Sequence, residues 1–284
     1  MNVITNSAAS APTQFVAVNG RTLAYRSIGS GTPIVLCNRF RGVMDLWDPA
    51  FLDALAAQAF SVITFDYSGL GLSTGTPTYS PIEMTADPRD LIAALDLKDV
   101  ALGGWSLGGM VAQATLALHP NAISHLALLG TTPPGDLVKL AEQLFYDLAG
   151  KDHYTIEDIT ALFFEPRSAA SREAATRSQA RIEARTEDLC PPVPVEFARP
   201  LLVHGPRSPA FPAPPVLDML KQTRIPIIHI GGDHDIIFPV ENWYALNEVL
   251  PTVTLVTFPQ AGHGPHHQHP QASADILASF VRNF

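Results

Sequence analysis

Gly104-Trp105-Ser106-Leu107-Gly108 decides how this chain is read. It matches G-x-S-x-G, in which small residues on either side of a serine let a strained strand-to-helix turn project the hydroxyl above a sheet. The pattern is short, so its neighbours carry the weight. Val100 to Gly103 before it reads as a buried strand, and Met110 to Leu118 after it reads as a small-residue helix that stops at His119-Pro120. Strand, sharp turn and helix are the context this motif requires.

Working outward, short β-branched or aromatic runs bounded by turn residues predict strands at Phe15 to Val18, Thr22 to Arg26, Ile34 to Cys37 and Ser61 to Phe65. Asn19-Gly20 joins the first two as a hairpin, because both residues tolerate positive φ. Helical spacing over Pro49 to Gln58 and Ile82 to Leu95 separates the later strands, so the sheet begins antiparallel and turns parallel. After His125 to Leu129 the alternation breaks. Pro133 to Lys221 carries helical patterns (Leu137 to Ala149, Ile156 to Phe164, Ala169 to Arg185) among Pro-rich connectors, and is expected to be an inserted helical cap. The strand–helix pattern resumes with Pro226 to Gly231, a helix around Val240 to Leu250, the strand Thr252 to Phe258 and a final helix from about Gln271 to Phe284. The fold class is therefore α/β, a mostly parallel central sheet flanked by helices. Residues 1–132 and 222–284 form one domain, split by a cap over 133–221.

Length and composition agree: 284 residues suit one large domain with an insertion, and 46% hydrophobic with 16% charged residues marks a globular chain. Eighteen basic against 27 acidic residues leave a net charge of −9, and no basic run interleaved with aromatics argues for nucleic acid. Cys37 and Cys190 make no disulfide framework, and Met1 to Gln14 lacks the basic and apolar regions of a cleavable signal, reading instead as a frayed tail. With no apolar run near the ~20 residues of a membrane span, a cytoplasmic location is expected. Oligomeric state is not legible.

A serine hydroxyl needs a base within hydrogen-bond reach and a third group to hold that base in the right tautomer. Gly231-Gly232-Asp233-His234-Asp235 follows one late strand and Ala261-Gly262-His263-Gly264 follows the last, which supplies an acid and then a histidine in the order the motif calls for. Either Asp233 or Asp235 could be the acid on this ground. A tetrahedral intermediate also needs two donors for its oxyanion. The residue after the serine, Leu107, supplies one through its backbone N–H, and the loop after Ile34 to Cys37 must supply the other.

With these elements in place the chain resembles the α/β-hydrolase family from about Phe15 to Phe284, including Phe65-Asp66-Tyr67-Ser68-Gly69-Leu70-Gly71-Leu72-Ser73, which looks like the family's D-x-x-G-x-G-x-S segment. The resemblance implies Ser106 as nucleophile, His263 as base and Asp235, through Asp235-Ile236-Ile237-Phe238-Pro239, as the acid. It also implies Phe40 as the second oxyanion donor. There the chain departs from the family's usual His-Gly: it reads Asn38-Arg39-Phe40-Arg41-Gly42. Arg39 or Arg41 could pair with a substrate carboxylate, but a salt bridge to Asp45 or Asp48 that stiffens the loop is the simpler expectation. Asp66 is expected to be structural, and Trp105 either lines a pocket or packs on the sheet.

His266, His267 and His269 crowd beside His263, but no Cys, Asp or Glu at ligand spacing accompanies them, so no metal is expected and the cluster reads as a solvated helix start. No cofactor is expected. A serine at the elbow disfavours chemistries that need a carboxylate nucleophile. What the resemblance implies is hydrolysis of a small or medium carboxylic ester or lactone through an acyl-enzyme. C–C bond hydrolysis, haloperoxidase-like perhydrolysis, cyanohydrin cleavage and a non-catalytic ligand receptor are the alternatives on the same fold.

Overall fold

The computed structural model describes residues 7–203 and 213–284. Eight strands form one sheet: β1 Gln14–Val18, β2 Arg21–Gly29, β3 Thr32–Cys37, β4 Phe60–Phe65, β5 Val100–Trp105, β6 Ile123–Leu129, β7 Ile227–Gly232 and β8 Val253–Phe258. Their order is β1-β2-β4-β3-β5-β6-β7-β8. β1 pairs antiparallel with β2, and β2 with β4; every later pairing is parallel. Asn19 (φ 44°) and Gly20 (φ 80°) both take the positive φ of a two-residue hairpin turn, which sets Val18 opposite Arg21.

β5 and β7 are buried along their whole length, as parallel strands covered on both faces must be. Two apolar clusters fill those faces, one around Trp47, Phe51 and Leu277, the other around Phe65, Leu91 and Trp243.

Three expected helices are broken or shortened, the one over Leu137 to Ala149 forming only as Gln143–Ala149. Residues 82–95 split into Pro81–Met84 and Ala86–Ala94, because Pro88 inside a continuous helix would clash with the carbonyl four residues back. In the second piece it falls in the first turn, where its missing N–H costs nothing. Of the helix expected around Val240 to Leu250, only Glu241–Tyr244 forms. Beyond it the chain runs through i→i+3 turns, with Glu248 at φ 65°.

Between β6 and β7 the chain passes through helices Gln143–Ala149, Ile156–Phe163, Ala169–Glu183, Val195–Val203 and Ala213–Gln222. Among the described residues no helix is long and apolar enough to cross a membrane. The start of the chain is not frayed over its described part. Ala11 is buried, Ala8 N–H donates to Asp53, and the Arg185 guanidinium donates to the Ala9 and Ala11 carbonyls.

Candidate active site

Ser106, His263, Asp235 and the Arg39–Phe40 pair all follow the carboxyl ends of parallel strands (β5, β8, β7 and β3), the edge where sheets of this topology gather their ligands. The serine sits between β5 and the helix Leu107–Leu118 at φ 59° and ψ −121°, a conformation that costs a non-glycine residue about 1–3 kcal/mol. Neighbours hold it there. Ser106 N–H donates to the Leu129 carbonyl at 2.9 Å, and its own carbonyl accepts from Thr131 Oγ1 at 2.6 Å. Space requires the two flanking glycines: a Cβ on Gly104 would lie 2.1 Å from the Gly108 carbonyl oxygen, and one on Gly108 would lie 2.1 Å from that of Cys37.

Asp235 is the acid that reaches the histidine. Its Oδ2 lies 2.7 Å from His263 Nδ1, and its Oδ1 accepts from the Ile237 and Phe238 N–H groups at 2.8 and 2.9 Å. Both side chains are buried. Asp233 instead faces His234 and the Ala261 N–H. The His263 backbone is fixed through its carbonyl, which accepts from Trp105 Nε1 at 2.8 Å. Gly130, at φ 46°, lets this segment approach: a Cβ there would lie 2.4 Å from the same carbonyl oxygen.

Ser106 and His263 line one cavity of about 210 Å³, with Phe40, Leu107, Met110 and Phe238 among its walls. The two side chains are not hydrogen-bonded to each other here, a looseness common before substrate binds. Phe40 and Leu107 border the same cavity, and the N–H of each makes no hydrogen bond to any described group. Leu107 is also the first residue of a twelve-residue helix, whose N-terminal dipole favours negative charge.

Asn38, which the sequence did not single out, anchors the β3 loop: Nδ2 donates to the Phe65 carbonyl and Oδ1 accepts from Trp47 Nε1, both at 2.7 Å. No local pattern signals it, since its partners lie nine and 27 residues away. The ion pair expected for Arg39 or Arg41 does not form. Asp45 is taken by Arg26 and Arg185, and Asp48 by Arg181. Arg41 donates to the Ala149 and Lys151 carbonyls and to the Tyr154 hydroxyl.

Arg39 is partly buried, with its guanidinium carbon 4.6 Å from the Phe163 ring centre and 5.2 Å from that of Trp105. Burial, with Arg41 adding to it, lowers its pKa to about 10. It remains a cation at neutral pH, and the two ring faces offset part of its desolvation, at about 0.5–2 kcal/mol each.

The histidines after His263 correct the expectation of a solvated helix start. His266 and His267 are buried, their rings packed on Trp105, with Trp47 also against His266. Desolvation drives both far below the usual histidine range, His267 to about 3, so they are neutral. Among the described residues no three His, Cys, Asp or Glu side chains are grouped to hold a metal ion. Trp105 packs among these rings and borders a second cavity of about 360 Å³ rather than the one containing Ser106. Asp66 accepts from the Met44 and Leu72 N–H groups and lies away from His263, a structural position.

An eight-stranded, mostly parallel sheet with a serine elbow and a buried Asp–His pair at its carboxyl edge defines a class, and the comparisons agree with it. A family model described as alpha/beta hydrolase fold matches residues 32–270, and the chain belongs to that family. It is similar to a putative non-heme bromoperoxidase, BpoC, of Mycobacterium tuberculosis, with 25% identity over 91% of this chain and 97% of that protein. A pimeloyl-[acyl-carrier protein] methyl ester esterase of Chromobacterium violaceum is 29% identical over 79% of this chain and 85% of its own. Among solved structures, an alpha/beta hydrolase fold protein from Chitinophaga pinensis superposes with a TM-score of 0.83 at 28% identity, covering 98% of this chain and 100% of that one.

Proposed function

We propose that the protein is a serine hydrolase that cleaves a small or medium carboxylic ester or lactone through an acyl-enzyme. The observation that carries this reading is the buried 2.7 Å contact between Asp235 and His263, in a histidine that shares its cavity with the elbow serine. Ser106 Oγ attacks the acyl carbon as its proton passes to His263 Nε2. Asp235 stabilises the imidazolium, and the N–H groups of Phe40 and Leu107 hold the oxyanion. The C–O bond to the alcohol breaks as His263 returns the proton to it. Water, deprotonated by His263, then attacks the acyl-enzyme and releases the acid.

The helices of residues 133–221 act as a cap, contributing Phe145, Leu162 and Phe163 to the cavity wall, which suits an apolar acyl or alcohol part. Two free, buried cysteines accord with a reducing compartment such as the cytoplasm. The BpoC likeness supports a second reading on the same residues, in which hydrogen peroxide replaces water as the acceptor of the acyl group.

The test is acid release in a pH-stat over aliphatic esters, aryl esters, lactones and diketones, with Ser106→Ala as control and fluorophosphonate labelling in parallel. Release from esters or lactones that falls at least ~10³-fold in Ser106→Ala is expected. Cleavage of diketones alone would move the assignment to C–C hydrolysis. An unlabelled serine and no turnover would restore the receptor alternative.

A further inference from the structure

We propose that Arg39 is a carboxylate-recognition residue, so that the substrate carries a free carboxylate in addition to the bond that is cleaved. The inference deepens the serine-hydrolase reading and rests on it for the position of the cleaved bond.

Among the described residues no carboxylate pairs with Arg39. The two acids expected to pair with its loop are already committed, Asp45 to Arg26 and Arg185 and Asp48 to Arg181. Of its five N–H donors, a single one, on Nη1, is used, by the Phe40 carbonyl at 2.8 Å. Nε is buried without a partner. A partly desolvated cation with unused donors is unfavourable in the free protein and is relieved by an anion.

Its location says where that anion comes from. Arg39 borders both the cavity that holds Ser106 and His263 and the second cavity behind it, and it is the one residue with a full charge among the described residues lining the first. Apart from the His263 imidazole, the other side chains of that wall are apolar or carry hydroxyls, so Arg39 is the side-chain cation that a carboxylate entering it meets. The guanidinium carbon lies over the Phe163 and Trp105 rings, and Nη2 makes no hydrogen bond to any described group, which leaves that end of the cation available to a carboxylate. Arg41, by contrast, is occupied by two backbone carbonyls and Tyr154.

The experiment compares kcat/KM for the monomethyl esters of succinate, glutarate and adipate, each against its own dimethyl ester, by proton release at neutral pH. For at least one chain length the native protein should favour the charged monoester roughly 10- to 100-fold, the worth of a charge-assisted hydrogen bond. That ratio should fall towards one in Arg39→Met and recover in part in Arg39→Lys. A native ratio of one or less at every length overturns the proposal. So does a ratio that persists in Arg39→Met, or an equal loss on both esters, which would mark a role at the oxyanion or in folding.

A binding arm needs neither turnover nor an altered arginine: free glutarate should raise the melting temperature of Ser106→Ala protein, and dimethyl glutarate should raise it less. Equal shifts, or none, overturn the carboxylate site. If glutarate binds and no ester is cleaved, the hydrolase reading fails while the Arg39 site stands.

Discussion

Oδ2 of Asp235 lies 2.7 Å from Nδ1 of His263, while its other oxygen accepts two backbone N–H groups, so both carboxylate oxygens are committed. Asp235→Asn must therefore set an amide NH₂ against either the histidine N–H or the backbone donors. The expected result is a fall in kcat on the order of 10³–10⁴, with a smaller change in KM. Asp233→Asn alters a partly exposed carboxylate that does not touch His263, and should stay within about threefold. Steady-state kinetics of the two variants on one ester decides between the acids.

The elbow's glycines make a stability prediction. A Cβ on Gly104 would fall 2.1 Å from the Gly108 carbonyl oxygen, a backbone atom that no rotamer change can move. Gly104→Ala should lose about 3 kcal/mol or more, whereas Gly20→Ala, with open space and only its φ of +80° against it, should lose about 1 kcal/mol. Urea unfolding of both variants beside the native chain measures the difference.

Acid should destabilise the fold before its carboxylates titrate. Desolvation lowers the pKa of His229 and His267 to about 3 and that of His266 well below the usual value. Below about pH 6.5 the unfolded chain protonates these side chains while the folded one does not. Stability therefore falls as pH drops from 6.5 towards 3, by up to ~1.4 kcal/mol per pH unit for each histidine. The urea midpoint should be lower at pH 5 than at pH 7, and His267→Gln should flatten that dependence. An unchanged slope in the variant would show that His267 takes up its proton in the folded state.

Cys37 is fully buried, and desolvation pushes its thiol up to about 12. Burial raises Cys190 further still. Neither should react with iodoacetamide at pH 8 in the native protein, and both should react in guanidinium chloride, a comparison that mass spectrometry reads directly.

What could be read without the structure was whatever is written in short-range order. Strand patterning, the Asn19-Gly20 turn and the glycines around Ser106 act through backbone sterics over a few residues, so they placed all eight strands and the elbow. The order of serine, acid and histidine along the chain narrowed the acid to Asp233 or Asp235. Choosing between them by contact needed the fold, because which carboxylate meets His263 depends on how the loops after β7 and β8 close on each other.

Arg39 shows the limit most plainly: nearby Asp45 and Asp48 suggested an ion pair, yet Arg26, Arg185 and Arg181, distant in sequence, take those acids and leave the guanidinium open to two cavities. His266 and His267 likewise read as a polar helix start and are buried against Trp105 and Trp47. Local sequence determined the elements and the chemistry on offer. Partnership, burial and the shape of the cavity were decided by tertiary packing, because each depends on groups that only the closed sheet and its covering helices bring together.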